Sequence, residues 1–172
     1  SKLTKLENLN LQRNRIADLS SLANLKGLRQ LQLTNNQIEH LDPIADLTAL
    51  ENLDAGFNRI ENVASLASLT RLVRLNIFHN GRIHNLDPLR SLHKLESLLL
   101  RANRIEEISP LADLTQLQEL WLDMNQVTDI APLAKLTNLR TLFINSNRIA
   151  DIEPLQALTG IESLELNMNR VE

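Results

Sequence analysis

The sequence contains no cysteine. This absence excludes a disulfide framework and the cysteine-flanked caps that close many extracellular repeat proteins. Long apolar runs are missing too, since none approaches the roughly 18 residues that a membrane-spanning helix needs. We therefore expect no membrane span within these residues, and the fold must be held by packing and hydrogen bonds.

Charge of one sign is not concentrated anywhere in the chain. The formal net charge is −3, from 18 Lys and Arg against 21 Asp and Glu. Residues 1–86 carry 10 basic and 8 acidic residues, whereas residues 87–172 carry 8 and 13. Nucleic-acid-binding proteins typically present a basic stripe, often interleaved with aromatic residues. No such stripe is present, so we expect no nucleic-acid partner.

The strongest pattern is an asparagine that recurs at a fixed interval. Successive members are separated by 22, 22, 22, 23, 22, 22 and 22 residues. Such a period is the signature of a solenoid, in which each repeat packs only on its neighbours. Because an amide can both donate to and accept from backbone groups, we expect all eight asparagines to be buried and hydrogen-bonded. The members of this asparagine ladder are Asn14, Asn36, Asn58, Asn80, Asn103, Asn125, Asn147 and Asn169.

One repeat, Leu114 to Lys135, shows how the period is built. Its L-x-L segment around Trp121 alternates with period two, which predicts a short strand with both leucines pointing inward. Recurrence of the segment predicts one parallel sheet built from all repeats. The five prolines share one register of the return path, where a fixed φ and a missing N–H favour a short turn or 3₁₀ helix. These prolines are Pro43, Pro88, Pro110, Pro132 and Pro154.

This pattern resembles a known family. The motif L-x-x-L-x-x-L-x-L-x-x-N-x-I covers essentially the whole chain and is similar to the 22-residue leucine-rich repeats of bacterial internalins and of protein phosphatase 1 regulatory subunits. The segments ISPLADLT (Ile108 to Thr115) and IAPLAKLT (Ile130 to Thr137) look most like internalin repeats. The resemblance implies an α/β fold: a curved leucine-rich-repeat solenoid with a parallel sheet on its concave face and short 3₁₀ or irregular segments on its convex face. It says little about function, because sites are grafted onto folds.

We interpret residues 1–172 as a single leucine-rich-repeat array of about eight 22-residue units, one of them with 23 residues. The extra residue lies in Asn80-Gly81-Arg82-Ile83, where we expect a harmless bulge at the edge of the sheet. Solenoids need polar caps at their ends, and the sequence shows none. We therefore expect this array to be a fragment of a longer protein. The alternative is a chain that dimerises or tolerates bare ends.

The functional prediction rests on residues that the repeat framework does not use. In each repeat these are the two that flank the central strand leucine and the two that precede the ladder asparagine. All four aromatic residues of the chain fall at such concave positions, and so does Leu99. Aromatic residues are enriched at binding hot spots, and an apolar centre with a charged rim is the anatomy of a protein interface. The predicted partner-binding residues are Phe57, Phe78, Leu99, Arg101, Trp121, Asp123, Met124 and Phe143.

Two structural alternatives compete with this interpretation. Ala55 and Gly56 remove volume from the framework immediately before Phe57, so that ring has space to fold inward. Leu99, Trp121 and Phe143 could instead form a self-shielded cluster that binds no partner.

Catalytic and metal-binding patterns are absent from the sequence. It has neither a P-loop nor a G-x-S-x-G elbow. Asp123 and Glu165 are predicted to be solvated and two strands apart, at most a weak calcium pair. We expect no enzymatic activity, no cofactor and no metal. No H-x-x-x-H pair suited to zinc occurs among the histidines, which are His40, His79, His84 and His93.

The sequence thus predicts non-enzymatic recognition of a protein ligand on the concave face, as in an internalin-like adhesion or recognition module. The alternative is an intracellular regulatory or scaffold domain of a larger protein, similar to the phosphatase regulators or to the recognition arm of an enzyme. The segment SPLADLT favours the bacterial, internalin-like interpretation. Neither the compartment nor the oligomeric state follows from the sequence.

Overall fold

The computed structural model describes residues 3–171, and its main feature is one parallel sheet in which eight three-residue strands follow chain order. Consecutive strands pair at the same register throughout, so that Leu98 lies beside Leu120 and Leu120 beside Leu142. The sheet lines the concave face of a curved, unclosed solenoid. Its strands are β1 (Asn8–Asn10), β2 (Gln30–Gln32), β3 (Asn52–Asp54), β4 (Arg74–Asn76), β5 (Ser97–Leu99), β6 (Glu119–Trp121), β7 (Thr141–Phe143) and β8 (Ser163–Glu165).

The return path of the chain runs through short 3₁₀ helices on the convex side, and residues 3–171 contain no longer helix. Five of these helices carry a proline in their first turn, as the sequence predicted. The expected solenoid architecture is therefore confirmed. The 3₁₀ helices are η1 (Ser20–Leu22), η2 (Asp42–Ile44), η3 (Ala64–Ser68), η4 (Asp87–Leu89), η5 (Ser109–Asp113), η6 (Ala131–Lys135) and η7 (Glu153–Ala157).

Polar side chains fix the start of most of these helices. Asp129 Oδ1 accepts a hydrogen bond from the N–H of Ala131 at 2.8 Å. Asp18 Oδ1 accepts from the hydroxyl and from the N–H of Ser20, at 2.6 and 2.8 Å. The hydroxyl bond is the larger cause and the N–H bond the smaller one of a pKa of Asp18 that is lowered from its ordinary value. Desolvation raises this pKa but is outweighed. The resulting contribution to stability is present above the pKa that Asp18 has in the unfolded chain. It is lost as pH falls through the lowered pKa that Asp18 has in the folded protein.

The core is a continuous column of leucine and isoleucine side chains between the sheet and the return path. Leu120 and Leu122 of the β6 repeat have no exposed area, and neither do Leu98 and Leu100 of the repeat before it. Truncating a fully buried leucine to alanine typically costs about 2–5 kcal/mol. The inward positions are thus fully committed to the fold, which leaves function to the outward ones.

Each ladder asparagine from Asn36 to Asn169 joins its own repeat to the preceding one. Asn125 Nδ2 donates to the carbonyl of Leu122 at 2.9 Å and to the carbonyl of Leu100, one repeat earlier, at 3.1 Å. Its Oδ1 accepts from the N–H of Ile105 at 3.0 Å, again in the preceding repeat. The side chain therefore satisfies backbone groups that the three-residue strand leaves unpaired.

The expectation that all eight asparagines are buried is wrong at the two ends of the ladder. Asn14 is exposed, and its Nδ2 reaches only the carbonyls of Leu11 and Gln12 in its own turn. Asn169 is half-buried although it bonds to Ile144 of the preceding repeat. Within the described residues, no earlier repeat accepts from Asn14 and no later repeat covers Asn169. The six central asparagines are buried, each at most 9% exposed.

One residue per repeat, directly before the ladder asparagine, has a left-handed backbone with φ between 50° and 61°. This conformation turns the chain out of the strand. It is unfavourable for β-branched residues, and none occurs at this position. The sequence analysis did not predict this feature, although the absence of Val, Ile and Thr directly before the ladder asparagines indicates it. The eight residues are Arg13, Asn35, Phe57, His79, Ala102, Met124, Ser146 and Met168.

The extra residue of the 23-residue repeat is accommodated without breaking the ladder. Asn103 Oδ1 accepts from the N–H of Gly81 at 3.1 Å, whereas Asn80 and Asn125 accept from an isoleucine N–H at the equivalent place. Gly81 has φ +73°, which glycine adopts at little cost. Ile83 stays fully buried, so the insertion bulges outward as expected.

We predict that Asn125→Ala lowers the free energy of unfolding by about 1–3 kcal/mol, because it leaves buried carbonyls and an N–H of two repeats unpaired. Urea unfolding followed by circular dichroism measures the change. Asn24→Ala, at an exposed position of the return path, is the matched control and should change the midpoint little. An equal effect of the two substitutions would contradict the ladder argument.

Protection against hydrogen exchange should be highest in the middle of the array. Leu9 and Leu11 are only partly buried and Leu164 is 43% exposed, whereas their central counterparts are fully covered. Since each repeat is held only by its neighbours, amides before about Arg13 and after about Ile161 should exchange first and those from Leu98 to Leu122 last. Uniform protection would show that both ends are covered in solution.

Candidate functional site

Four side chains per repeat line the concave face of the sheet. In the β6 repeat they are Glu119 and Trp121, which flank the inward Leu120, and Asp123 and Met124, which precede the ladder asparagine. Because strands pair at one register, equivalent residues of successive repeats form columns across the sheet, with Leu99, Trp121 and Phe143 side by side. The concave face is therefore a grid, and each column can be compared repeat by repeat.

The apolar row of Leu99, Trp121 and Phe143 is the centre of the C-terminal half of this grid. All three side chains are partly buried, and the Trp121 and Phe143 ring centroids lie 5.3 Å apart at a tilt of 44°. Met124 stands at the edge of the row and is 48% exposed. The side chains of the row therefore pack against one another instead of projecting separately into solvent. The row borders a groove of about 330 Å³.

Trp121 carries the one buried side-chain donor or acceptor in residues 3–171 that lacks a hydrogen bond, its indole Nε1. A buried polar group without a partner costs about 1–3 kcal/mol. Native structures leave few such groups, and they concentrate where function needs them. The indole is therefore held in the free protein at some energetic cost.

A second aromatic group lies towards the N-terminal end of the same face. Phe57 and His79 are stacked, with centroids 4.6 Å apart and planes at 15°, and Phe78 meets Phe57 edge-on at 4.8 Å. Phe57 is 45% exposed, so its ring points outward and does not fill the space beside Ala55. The Phe78 ring instead packs on Gly56, where a Cβ would come within 2.5 Å of Cε1. The alternative of an inward Phe57 is wrong, because its left-handed backbone directs the side chain away from the core.

No ring contact among the described residues joins the two aromatic groups. The repeat between them presents Leu99, Arg101 and Ala102. Arg101 is exposed, and its Nη2 lies 3.8 Å from Sδ of Met124. The predicted partner-binding residues therefore form two neighbouring clusters with a basic side chain between them. The sequence analysis did not predict that His79 stacks on Phe57, because this contact depends on the left-handed turn.

A hydrogen-bonded acidic network follows the apolar row towards the C-terminus. Asn145 Nδ2 donates to Asp123 Oδ1 at 2.8 Å and to Glu165 Oε2 at 2.7 Å, and the Asn145 N–H donates to the same Asp123 oxygen at 3.1 Å. Asp123 is only 7% exposed. The two carboxylates are two strands apart and Glu165 is exposed, as expected, but the expectation of a solvated Asp123 is wrong, because Asn145 of the intervening repeat bonds to it and helps to bury it.

Outside the cluster of Phe57, Phe78 and His79, the N-terminal half of the concave face is polar. A groove of about 380 Å³ runs from β2 to β6, and four amide side chains, Asp54, Arg74 and Glu119 line it together with leucines that include Leu99. Thr34 donates its hydroxyl to Asp54, which also accepts from the N–H of Gly56 at 3.3 Å. Arg74 is exposed, with no carboxylate within 4.0 Å in the described part of the chain. The two halves of the face thus differ in chemistry.

The repeat pattern can be compared with known families at this point. The profile of the family described as "Leucine Rich repeats (2 copies)" matches residues 4–47, 48–91, 93–135 and 137–172. The chain belongs to the leucine-rich-repeat family. A comparison with curated protein sequences finds no match.

Among solved structures, this leucine-rich-repeat protein is similar to internalins. Internalin C2 of Listeria monocytogenes is 34% identical with a TM-score of 0.93, and the match covers 98% of this chain and 75% of that one. Internalin F of the same species is 36% identical with a TM-score of 0.80, over 99% of this chain and 56% of that one. A leucine-rich-repeat protein of Leptospira interrogans, 24% identical over 51% of its length with a TM-score of 0.78, supports the fold alone. The chain is internalin-like and spans little more than half of the latter two proteins.

Other classes of site have little support in the described residues. No group of three or more His, Cys, Asp or Glu side chains in residues 3–171 is placed to hold a metal ion. His40 and His84 line a groove on the loop side of the repeats with the Arg59–Glu39 and Arg82–Glu61 ion pairs. In the same part of the chain, no helix is long and apolar enough to span a bilayer.

We predict that Trp121→Phe leaves the free energy of unfolding unchanged or raises it slightly. The smaller ring keeps the contact with Phe143 and removes a buried donor that costs about 1–3 kcal/mol. Trp121→Ala should destabilise the fold by clearly less than Leu120→Ala, for which about 2–5 kcal/mol is typical. Chemical unfolding of the three variants tests this. If Trp121→Phe destabilises as much as Trp121→Ala, the indole N–H has a partner and the argument is wrong.

Proposed function

We propose that this protein is a non-enzymatic recognition module that binds a protein partner through its concave face, with the apolar row at the centre of the interface. The observation that carries the proposal is the placement of the aromatic residues. The fold uses none of them in its core, yet all lie on this one face. Leucines already fill the core of the repeat, so the fold does not need the partly exposed ring of Trp121.

The geometry of the row matches what protein interfaces require. Hot spots are aromatic residues in a central position that the partner can desolvate. Trp121 lies between Leu99 and Phe143 in register, and exposed Met124 continues the apolar surface. The partner would then cover area that is already preorganised by the sheet, which lowers the entropy that binding costs.

The remaining predicted residues form the surroundings of this centre. Arg101 and Asp123 provide charge on one side of the row, the kind of polar rim that surrounds an apolar interface core. Phe57 and Phe78, stacked with His79, form a second contact area towards the N-terminal end. We assign partner binding to both clusters, with the larger contribution from the apolar row because it contains tryptophan.

The family relationship favours an internalin-like adhesion or recognition role over a regulatory subunit. Two internalins exceed 30% identity over nearly the whole of this chain. The proposal includes no catalysis: on the concave face in residues 3–171, carboxylates are bonded to amides, hydroxyls or backbone N–H groups, and no metal-ligand cluster is present. It includes no nucleic acid, because the aromatic row is accompanied by carboxylates rather than by a basic stripe.

The test requires that the binding face be found before a partner is assumed. A photo-crosslinking amino acid placed at Ala102, on the concave face, or at Lys135, on the convex side, should capture different proteins. We expect one specific protein to be captured from position 102 and not from position 135. That protein, once purified, should bind Trp121→Ala about 30-fold to 1,000-fold more weakly than the unmodified chain, since truncating a central tryptophan costs about 2–4 kcal/mol.

Lys135→Ala is the control, because Lys135 ends η6 on the convex side. Its affinity should equal that of the unmodified chain. Arg101→Ala should mainly change the association rate and its dependence on salt. Normal binding by Trp121→Ala together with weakened binding by Lys135→Ala would move recognition to the convex side and refute the proposal.

A further inference from the structure

We propose that the groove beside the apolar row is a socket for an arginine side chain of the partner protein, held between the Trp121 and Phe143 rings and the carboxylates of Asp123 and Glu165. This inference rests on the proposed function and names the chemistry of the partner at that same face. The groove has about 330 Å³, at the small end of the roughly 300–1,000 Å³ typical of ligand pockets. It therefore suits a side chain rather than a whole secondary-structure element.

The first argument is that two carboxylates are gathered here without a counter-ion. Asp123 and Glu165 belong to repeats two apart and both accept from Asn145 Nδ2. No lysine, arginine or histidine nitrogen lies within 4.0 Å of either in the described residues. Elsewhere carboxylates do find partners, such as Glu162 with Arg140 at 2.5 Å. The concave pair thus forms no ion pair within 4.0 Å, and Asp123 is 93% buried as well.

The hydrogen-bond network also favours a guanidinium over a calcium ion as the cation bound here. The N–H of Asn167 donates to Asn145 Oδ1 at 2.7 Å, so the amide of Asn145 presents its N–H groups, not its oxygen, to the two carboxylates. A calcium ion needs six to eight oxygen ligands, and a donor between the carboxylates works against it. A guanidinium needs only acceptors at its edge, which the outer carboxylate lone pairs supply.

The aromatic rings select arginine over lysine. Phe143 lies between Trp121 and Glu165 in the register of the sheet, so rings and carboxylate are adjacent across three strands. A planar guanidinium can stack on an aromatic face while its edge binds a carboxylate, and it is less strongly hydrated than an ammonium. The guanidinium also presents five donors at once.

The charges that face the socket favour a cation overall. The groove itself contains two carboxylates and one guanidinium, that of Arg101, which occupies the position equivalent to Asp123 in the preceding repeat and has its Nη2 3.8 Å from Met124 Sδ. Glu119, one column away, adds a third carboxylate and accepts the Ser97 hydroxyl at 2.6 Å. The C-terminal half of the concave face therefore has three acidic side chains against one basic. The N-terminal half, with Arg13 and Arg74 against Asp54, has the opposite sign.

The single tryptophan of the chain makes a direct test possible, because its indole N–H gives one cross-peak in a ¹H–¹⁵N spectrum. The probe is N-acetyl-L-arginine amide, and its neutral isostere N-acetyl-L-citrulline amide is the matched control. We expect saturable movement of the indole peak with the arginine probe and little with citrulline. Calcium chloride is titrated separately at constant ionic strength.

Charge-removing variants locate the effect. Asp123→Asn and Glu165→Gln should each weaken the response to the arginine probe roughly tenfold, as expected for loss of a charge-assisted hydrogen bond. Glu165 is exposed, so its variant keeps the test valid even if Asp123→Asn unfolds. Glu162→Gln, in the same repeat but paired with Arg140, is the control and should respond like the unmodified chain.

Four outcomes refute the socket: no response to arginine, equal responses to arginine and citrulline, a response to calcium alone, or full responses in both charge variants. These outcomes are independent of the partner experiment. If arginine fails while Trp121→Ala still loses the captured partner, the socket is wrong and the concave-face proposal stands. If arginine binds as described while Trp121→Ala keeps its partner, the socket exists but the proposed interface does not.

Discussion

The hydrogen bonds of the asparagine ladder are the constraint on which the rest of this molecule depends. A strand of three residues cannot satisfy the backbone at its end, where the chain must turn away from the sheet. Asn125 accepts one N–H and donates to carbonyls in its own repeat and in the one before it. Buried backbone groups left unpaired would each cost about 1–3 kcal/mol. The side chain therefore fixes both the turn and the distance between repeats, and the parallel register of the sheet follows.

This constraint also determines where function can reside. Inward leucines such as Leu120 are fully buried, and the ladder asparagine is committed to its backbone bonds. Four outward positions per repeat remain outside the core and the ladder. One of them, the residue before the asparagine, must tolerate a left-handed backbone, which excludes β-branched side chains but admits Phe57, His79 and Met124. The concave face is thus a surface whose chemistry can vary while its geometry stays constant.

The sequence allowed prediction of the features that the period alone determines. Strand positions, register, the convex 3₁₀ helices and the outward columns all follow from a 22-residue repeat whose inward residues are apolar. What could not be predicted depends on how side chains of neighbouring repeats meet. The stacking of Phe57 on His79 requires the left-handed turn, and the bridge from Asp123 to Glu165 requires Asn145 in the repeat between them. Burial of Asn14 and Asn169 was wrongly expected because the repeat pattern treats the end units as if neighbours covered them.

The concave face is divided by chemistry rather than by shape. Outside the cluster of Phe57, Phe78 and His79, its N-terminal half is rich in amides and weakly basic, whereas its C-terminal half combines an apolar row with three carboxylates, of which Asp123 is buried. Among the described residues, two groups without a partner lie in the second half, namely an indole N–H without an acceptor and a carboxylate pair without an ion pair within 4.0 Å. A partner arginine would supply the cation that the carboxylate pair lacks while its guanidinium stacks on the aromatic row. Binding energy would then come from completing interactions that the fold already positions, which is why we place the centre of recognition at Trp121 rather than at the more exposed ring of Phe57.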